Sequence, residues 1–223
     1  MSRNYFIAAA LLLGGVVGWP SQAHAQVAPA VFRVPVTGVV EMGLAPFIER
    51  AIREAESAGA SFVVLDIDTP GGRVDSAERI ADAISDSGVP VYAFVNRRAF
   101  SAGALIALAT RGIYMRPGSV IGAATPVDGS GTKASEKIVS AMRSEMRALA
   151  EAQGLDPAVA EAMVDESLAI PDVVEAGQLL TLTTEEAVGI GYASETADFA
   201  TLLEDLGVAG AVVSDVGVNW AER

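Results

Sequence analysis

Two apolar runs limit what this chain can fold into. Residues 61–67 (SFVVLDI) and 89–95 (VPVYAFV) have few polar interruptions, as expected of strands buried on both faces of a parallel sheet. Between and around them the period changes. Leu44, Phe47, Ile48, Ala51, Ile52 and Ala55 recur at helical spacing, as do Ile80, Ala83 and Ile84. Gly59 closes the first helix; Gly88 and Pro90 close the second, whose cap is read as Asp75 or Ser76. Strand and helix alternate through short connections, which implies a layered α/β fold of right-handed βαβ units.

The remaining segments fit the same scheme. Residues 31–40 alternate and contain Pro35 and Gly38, an edge-like strand with a turn. Asn96 to Phe100 reads as a loop, followed by a helix through Ala109 and a short strand at 112–115. Residues 120–126 read as extended and the polar stretch DGSGTKAS, 128–135, as a mobile loop. A helix over 136–153 turns Ile138, Val139, Met142, Met146 and Leu149 inward, and another runs from Asp156-Pro157 to about Glu166. Thr183 to Glu186 fits a capping box, residues 200–206 a last helix and 208–213 a small strand. Residues 1–25 read as a secretory signal peptide: Arg3, an apolar centre, and Ala23-His24-Ala25 before the cleavage point. The mature domain then covers 26–223.

Composition removes whole classes of chemistry. A formal net charge of −13 argues against nucleic acid, since no basic patch is available for phosphates. There is no cysteine, and the single histidine, His24, leaves with the signal peptide. A His-dependent triad and Cys- or His-ligated metal sites are thereby excluded from the mature chain. Asp66 and Asp68 lack further oxygen ligands at usable spacing, so no metal is expected. Asp68 reads instead as a turn-stabilising residue. No GxxxxGK[ST] or GxGxxG follows a strand, so no nucleotide cofactor is expected either.

What remains points to acyl transfer. Ser101 opens an apolar helix among the small residues Ala102, Gly103 and Ala104, so another chain can approach its hydroxyl. Alone it would be an ordinary helix-capping serine. The Thr69-Pro70-Gly71-Gly72 turn follows a buried strand, where parallel sheets place their sites. N–H groups of Gly72 and Ala102 are a candidate oxyanion hole. A serine nucleophile needs a base, and the mature chain offers only Lys133 and Lys137 as amines. Lys133 lies in the polar loop and stays solvated. Lys137 opens the helix at 136, where Ala141, Ser144 and Ala148 on its side leave room for another element to exclude water.

Five stretches in order carry a resemblance: LDIDTPGGRVDSAERIADAI, FSAGALIAL, RPGSVIGAATPV, EKIVSAMRSEMRALAEAQGLD and LLTLTTEEAVGIGYA. Together they resemble the nodulation-efficiency protein D (NfeD) family, membrane-associated serine proteases of the Clp-protease/crotonase superfamily related to signal peptide peptidase A. The resemblance implies a Clp-protease/crotonase-like α/β domain with Ser101 as nucleophile, Lys137 as base, and Gly72 and Ala102 as oxyanion donors. Phe100 stands where the family has a small residue, and it narrows the site. Substrate is expected beside Gly71, Phe100 and the strand of Ser119, Val120 and Ile121, paired through its backbone. The resemblance further implies apolar peptide or membrane-protein substrates, stomatin-like proteins among them, a homo-oligomer of at least two copies, and an exported, periplasmic location. Longer members continue into membrane helices and a β-barrel domain, whereas this sequence stops at Arg223. Two other readings stay open: a non-catalytic scaffold binding apolar tails in the same groove, and a CoA-dependent crotonase-type enzyme.

Overall fold

The structure is a computed structural model and describes residues 30–218; the segment read as a signal peptide lies outside them. Eight strands form one sheet: β1 (Ala30–Thr37), β2 (Phe62–Thr69), β3 (Val91–Phe100), β4 (Ile113–Met115), β5 (Val120–Gly122), β6 (Thr181–Thr183), β7 (Ser194–Glu195) and β8 (Val212–Asp215). Seven helices accompany them: α1 (Leu44–Ser57), α2 (Val74–Ser85), α3 (Ala102–Leu108), α4 (Glu136–Gln153), α5 (Pro157–Ala162), α6 (Thr184–Gly189) and α7 (Phe199–Asp205). The order across the sheet is β6-β5-β3-β2-β1-β8, with β4 and β7 branching from β3. Every pairing is parallel except β5 with β6.

The branch at β3 corrects the loop expected at residues 96–100. The first half of β3 pairs Ala93, Phe94 and Val95 with β4, and the second half pairs Arg98, Ala99 and Phe100 with β5. Asn96 and Arg97 lie in a register shift between these two paired halves, and pairing of Arg98 to Phe100 with β5 and of Ala99 with Thr69 carries the strand on although the side chains give no strand signal. Strand β1 is not an edge either: β8 pairs with Ala30 to Arg33 and β2 with its other side. Pro35 lies beyond the last β8 partner, so its missing N–H costs no ladder bond.

Alternation along β2 sorts the core. Val63, Leu65 and Ile67 enter the large cluster beneath α1, α2, α3 and α4, whereas Phe62 and Val64 face α7 with Phe94, Leu202 and Leu203. Asp66 shares that second face. Its carboxylate accepts from the Arg33 guanidinium and from Asn96 Nδ2, and Asp68 accepts from Arg98 Nε. Both aspartates are therefore occupied by cross-strand partners. Thr69, rather than Asp68, pins the glycine turn.

Helix ends shifted by small amounts. Arg73 caps α2 without a side-chain bond, and Asp75 accepts from the Ser76 N–H inside the first turn. Asp156 caps α5 as read, but that helix stops at Ala162. The Thr183–Glu186 capping box is present in full. Ile138, expected inward, is half exposed, while Val139, Met142, Met146 and Ala150 are buried. The stretch at 128–135 is a cross-bonded turn. Asp128 Oδ1 accepts from the N–H groups of Ser130 and Thr132, and Val127 bridges to Lys133.

Helices α2, α3 and α4 run the same way. Their C-terminal residues Ser85, Ala109 and Gln153 line one cavity, and Gln153 Nε2 donates to the Leu108 carbonyl at 2.7 Å. Their N-termini therefore gather at the C-terminal end of the strands. Between α2 and α4, Glu145 is raised from 4.5 to about 7 by desolvation first, then by Glu78 and Asp82. Below 4.5 the group is protonated in both states, and no penalty arises. As pH rises towards 7 only the unfolded chain releases the proton readily, so the native state loses stability across that window. Glu145→Gln should raise Tm at pH 8 and leave it unchanged at pH 4, as read by thermal unfolding.

Candidate active site

The sequence leads from β2 into a turn that has no room for side chains. Thr69 Oγ1 donates to the Gly38 carbonyl at 2.6 Å and accepts from the Gly71 N–H at 3.0 Å. A Cβ on Gly71 would lie 2.6 Å from Ser101 Cβ and 3.2 Å from its Oγ. A Cβ on Gly72 would lie 2.3 Å from the Val40 carbonyl oxygen. Real Cβ atoms do not approach so closely, so these positions need glycine for reach. The segment after β1 holds the turn from behind: Val40 N–H donates to Gly71 O at 2.9 Å and Arg73 N–H to Val40 O at 2.8 Å. In such a parallel bridge the intervening Gly72 points its own N–H away from Val40.

Ser101 stands at the junction of β3 and α3. Its N–H donates to Gly122 O at 2.9 Å, and its carbonyl accepts from Ala104 N–H at 2.9 Å. The residue is held at φ 53, a region costly for a side chain with a Cβ. Its hydroxyl makes no capping bond, which removes the ordinary explanation for a serine at this position. The N–H groups of Gly72 and Ala102 have no acceptor among the described residues. For Ala102 this follows from its place in the first helical turn. The glycine turn thus lies against Ser101 through Gly71, and the Ser101 hydroxyl and the Gly72 and Ala102 N–H groups are without partners among the described residues.

The other residues singled out in the sequence divide. Phe100 ends β3 and pairs with Gly122. Ser119 is buried, its hydroxyl beside Thr184 Oγ1 and its carbonyl accepting from Thr184, so it serves the fold. Val120 and Ile121 pair with β3 on one side and β6 on the other. Both edges of Val120 to Gly122 are thus taken up by backbone pairing. An open cavity of about 720 Å³ lies between Val39, Gly72, Val74 and the 127–129 segment. Lys133 is ion-paired with Glu166. Lys137 is exposed in the first turn of α4 and makes no hydrogen bond to Ser101; Ala141, Ser144 and Ala148 beside it are also exposed, so no element packs there. In the sequence Thr69 belongs to the glycine turn and 128–135 to a loop, with no mark of a part in the site, and Val40 carries none; Gly38, which turns the chain towards Val40, is the signal that could have found it.

The model of the N-terminal domain of NfeD1b matches residues 30–216. The chain belongs to the NfeD1b family. It is 44% identical over 195 residues to the membrane protein NfeD1b of Bacillus subtilis, covering 86% of this chain and 45% of that protein. It is 33% identical over 151 residues to the membrane-bound protease PH1510 of Pyrococcus horikoshii, covering 64% of this chain and 32% of that one. The chain thus spans less than half the length of either relative. Among solved structures, a lysine-to-alanine variant of the 1510-N membrane-bound stomatin-specific protease, in complex with a substrate peptide, superposes with a TM-score of 0.75. The identity is 25%, over 87% of this chain and 95% of that one. ClpP1 from Listeria monocytogenes shares the fold, with a TM-score of 0.56 at 21% identity over 73% of this chain and 89% of that one. The NfeD and ClpP-like resemblance read from the sequence is thereby borne out, and proteases stand among the relatives of this NfeD1b domain. Both curated relatives are named as membrane proteins, and no helix among the described residues is long and apolar enough to cross a membrane.

The strain at Ser101 can be measured. Because the hydroxyl caps nothing, Ser101→Ala should change stability by less than about 0.5 kcal/mol, not the ~1 kcal/mol of a lost cap. Ser101→Gly should stabilise the NfeD1b domain by about 1 kcal/mol through relief of the positive φ. Urea unfolding of the two variants reads both.

Proposed function

We propose that this NfeD1b domain is a serine endopeptidase with Ser101 as nucleophile and Lys137 as general base. The observation that carries the reading is the Gly71–Ser101 contact, which brings the glycine turn against a serine whose hydroxyl caps nothing; Gly72 and Ala102, with unpaired N–H groups, follow these two residues directly in sequence. Neutral Lys137 takes the Ser101 proton as the oxygen attacks a peptide carbonyl. The resulting oxyanion accepts from the Gly72 and Ala102 N–H groups. The amine product leaves with the proton from Lys137, and a water deprotonated by the same amine releases the acyl group.

Substrate lies extended in the cavity between Gly72 and the 127–129 segment, which adjoins the glycine turn that Gly71 sets against Ser101. Val39, Val74 and Val127 give it an apolar wall, while Glu41, Arg73, Asp75 and Asp128 line the rest; the preference for apolar segments rests on the family resemblance. The related 1510-N protease is stomatin-specific, which supports stomatin-like, membrane-associated proteins as substrates. Lys137 makes no hydrogen bond to Ser101 in this structure. Hydrogen bonds of this kind commonly tighten only in the complex. Export to the periplasm and self-association belong to the same proposal.

A non-catalytic scaffold is the second reading, favoured by the exposed, unbonded Lys137 and by a relative named without an activity. Cleavage of an apolar peptide separates the two. Ser101→Ala should lose about 10³-fold or more in kcat, and Lys137→Ala about 10²- to 10⁴-fold. Undiminished cleavage by either variant overturns the dyad; no cleavage by the unaltered protein leaves the scaffold.

A further inference from the structure

Lys137 and Ser101 sit on separate elements, so something must set the distance between them. The backbone offers a continuous route. Ser101 N–H donates to Gly122 O at 2.9 Å, and the chain turns at Ala123, held at φ 50. Ala124 N–H then donates to Met163 O at 2.6 Å, and Thr125 Oγ1 to Val164 O at 2.7 Å. The next two residues of that segment, Asp165 and Glu166, are ion-paired to α4 and to the stretch leading into it. Arg143 donates to Asp165 through Nη1 and to Glu136 Oε1 through Nη2 at 3.3 Å. Lys133 Nζ donates to both Glu166 oxygens at 2.7 and 2.8 Å. Lys137 lies in sequence between these two ties, directly after Glu136.

The two ties are unequal. The Lys133–Glu166 pair is well exposed and worth little. Asp165 is 9% exposed, and its other carboxylate oxygen accepts from the Ser167 N–H and hydroxyl at 3.0 and 2.7 Å. Those bonds first, and Arg143 second, hold the Asp165 carboxyl below its ordinary range, so it stays charged at neutral pH. Removing Arg143 leaves that enclosed charge without its cation, and the α5 end loses its grip on α4.

We infer that Asp165 and Arg143 are positioning residues, fixing the first turn of α4 so that the Lys137 amine is presented to Ser101. This rests on Lys137 being the base. Peptide cleavage by the whole protein and by folded variants tests it, with Tm measured to confirm folding. Arg143→Met and Asp165→Asn should lower kcat at least about tenfold, with KM changed less than about twofold, since transition-state geometry and not binding is disturbed. Arg143→Lys, which can still reach Asp165, should stay within about threefold of the unaltered kcat. The pH profile of kcat should shift in Arg143→Met but not in Arg143→Lys, because the surroundings of the base change only in the first. If Asp165→Asn does not fold, the Arg143 pair carries the test alone. Unchanged kcat in Arg143→Met, with Lys137→Ala inactive, overturns the positioning role and leaves the dyad. Full activity in Lys137→Ala overturns both.

Discussion

Everything at the candidate site depends on a turn in which a side chain cannot fit. Gly71 lies against Ser101 and Gly72 against Val40, each closer than any Cβ allows. The turn is thus clamped between the strand that carries the serine and the segment that continues β1. Thr69 adds the pin, bonding both Gly38 and Gly71. With these contacts made, the Gly72 N–H points away from Val40 and has no acceptor among the described residues. Rigidity comes from packing of backbone on backbone, which is the preorganisation an oxyanion needs.

The parallel sheet turns that local clamp into a corner. β2 ends at the turn and passes into α2; β3 ends at Ser101 and passes into α3. The long β3 serves two neighbours in succession, so β5 and its following residues reach the same place. Helix α4 shares the direction of α2 and α3 and brings Lys137 to that end. Its first turn is the least enclosed part of the arrangement. The Asp165–Arg143 pair is where the fold resists that freedom.

Much of this was legible in the sequence, for identifiable reasons. Strand β2 declares itself because both faces are buried, and Ser101 with the glycine turn stands out because small residues surround them. The lysine base followed from scarcity of alternatives. What escaped was decided by tertiary pairing. Asn96 and Arg97 look like a loop, and they do fall in a register shift of β3; the strand continues through them because Arg98, Ala99 and Phe100 pair with β5 and Ala99 also pairs with Thr69. Ile138 has the spacing of a core residue but is half exposed, while its neighbour Val139 is buried. Ser119, Val120 and Ile121 read as a free strand because nothing local reveals that β6, far along the chain, closes their other edge. Val40 joined the site through a bridge between residues distant in sequence, which no periodicity reports.

The central claim is that Gly72 and Ala102 form an oxyanion hole for an adduct on Ser101. The most direct measurement is a crystal structure of the protein after reaction with a peptide boronate or fluorophosphonate. The account predicts a covalent bond to Ser101 Oγ, with one adduct oxygen about 2.7–3.1 Å from both the Gly72 and Ala102 nitrogens. An unmodified Ser101, or an adduct whose oxygens avoid both N–H groups, would contradict it.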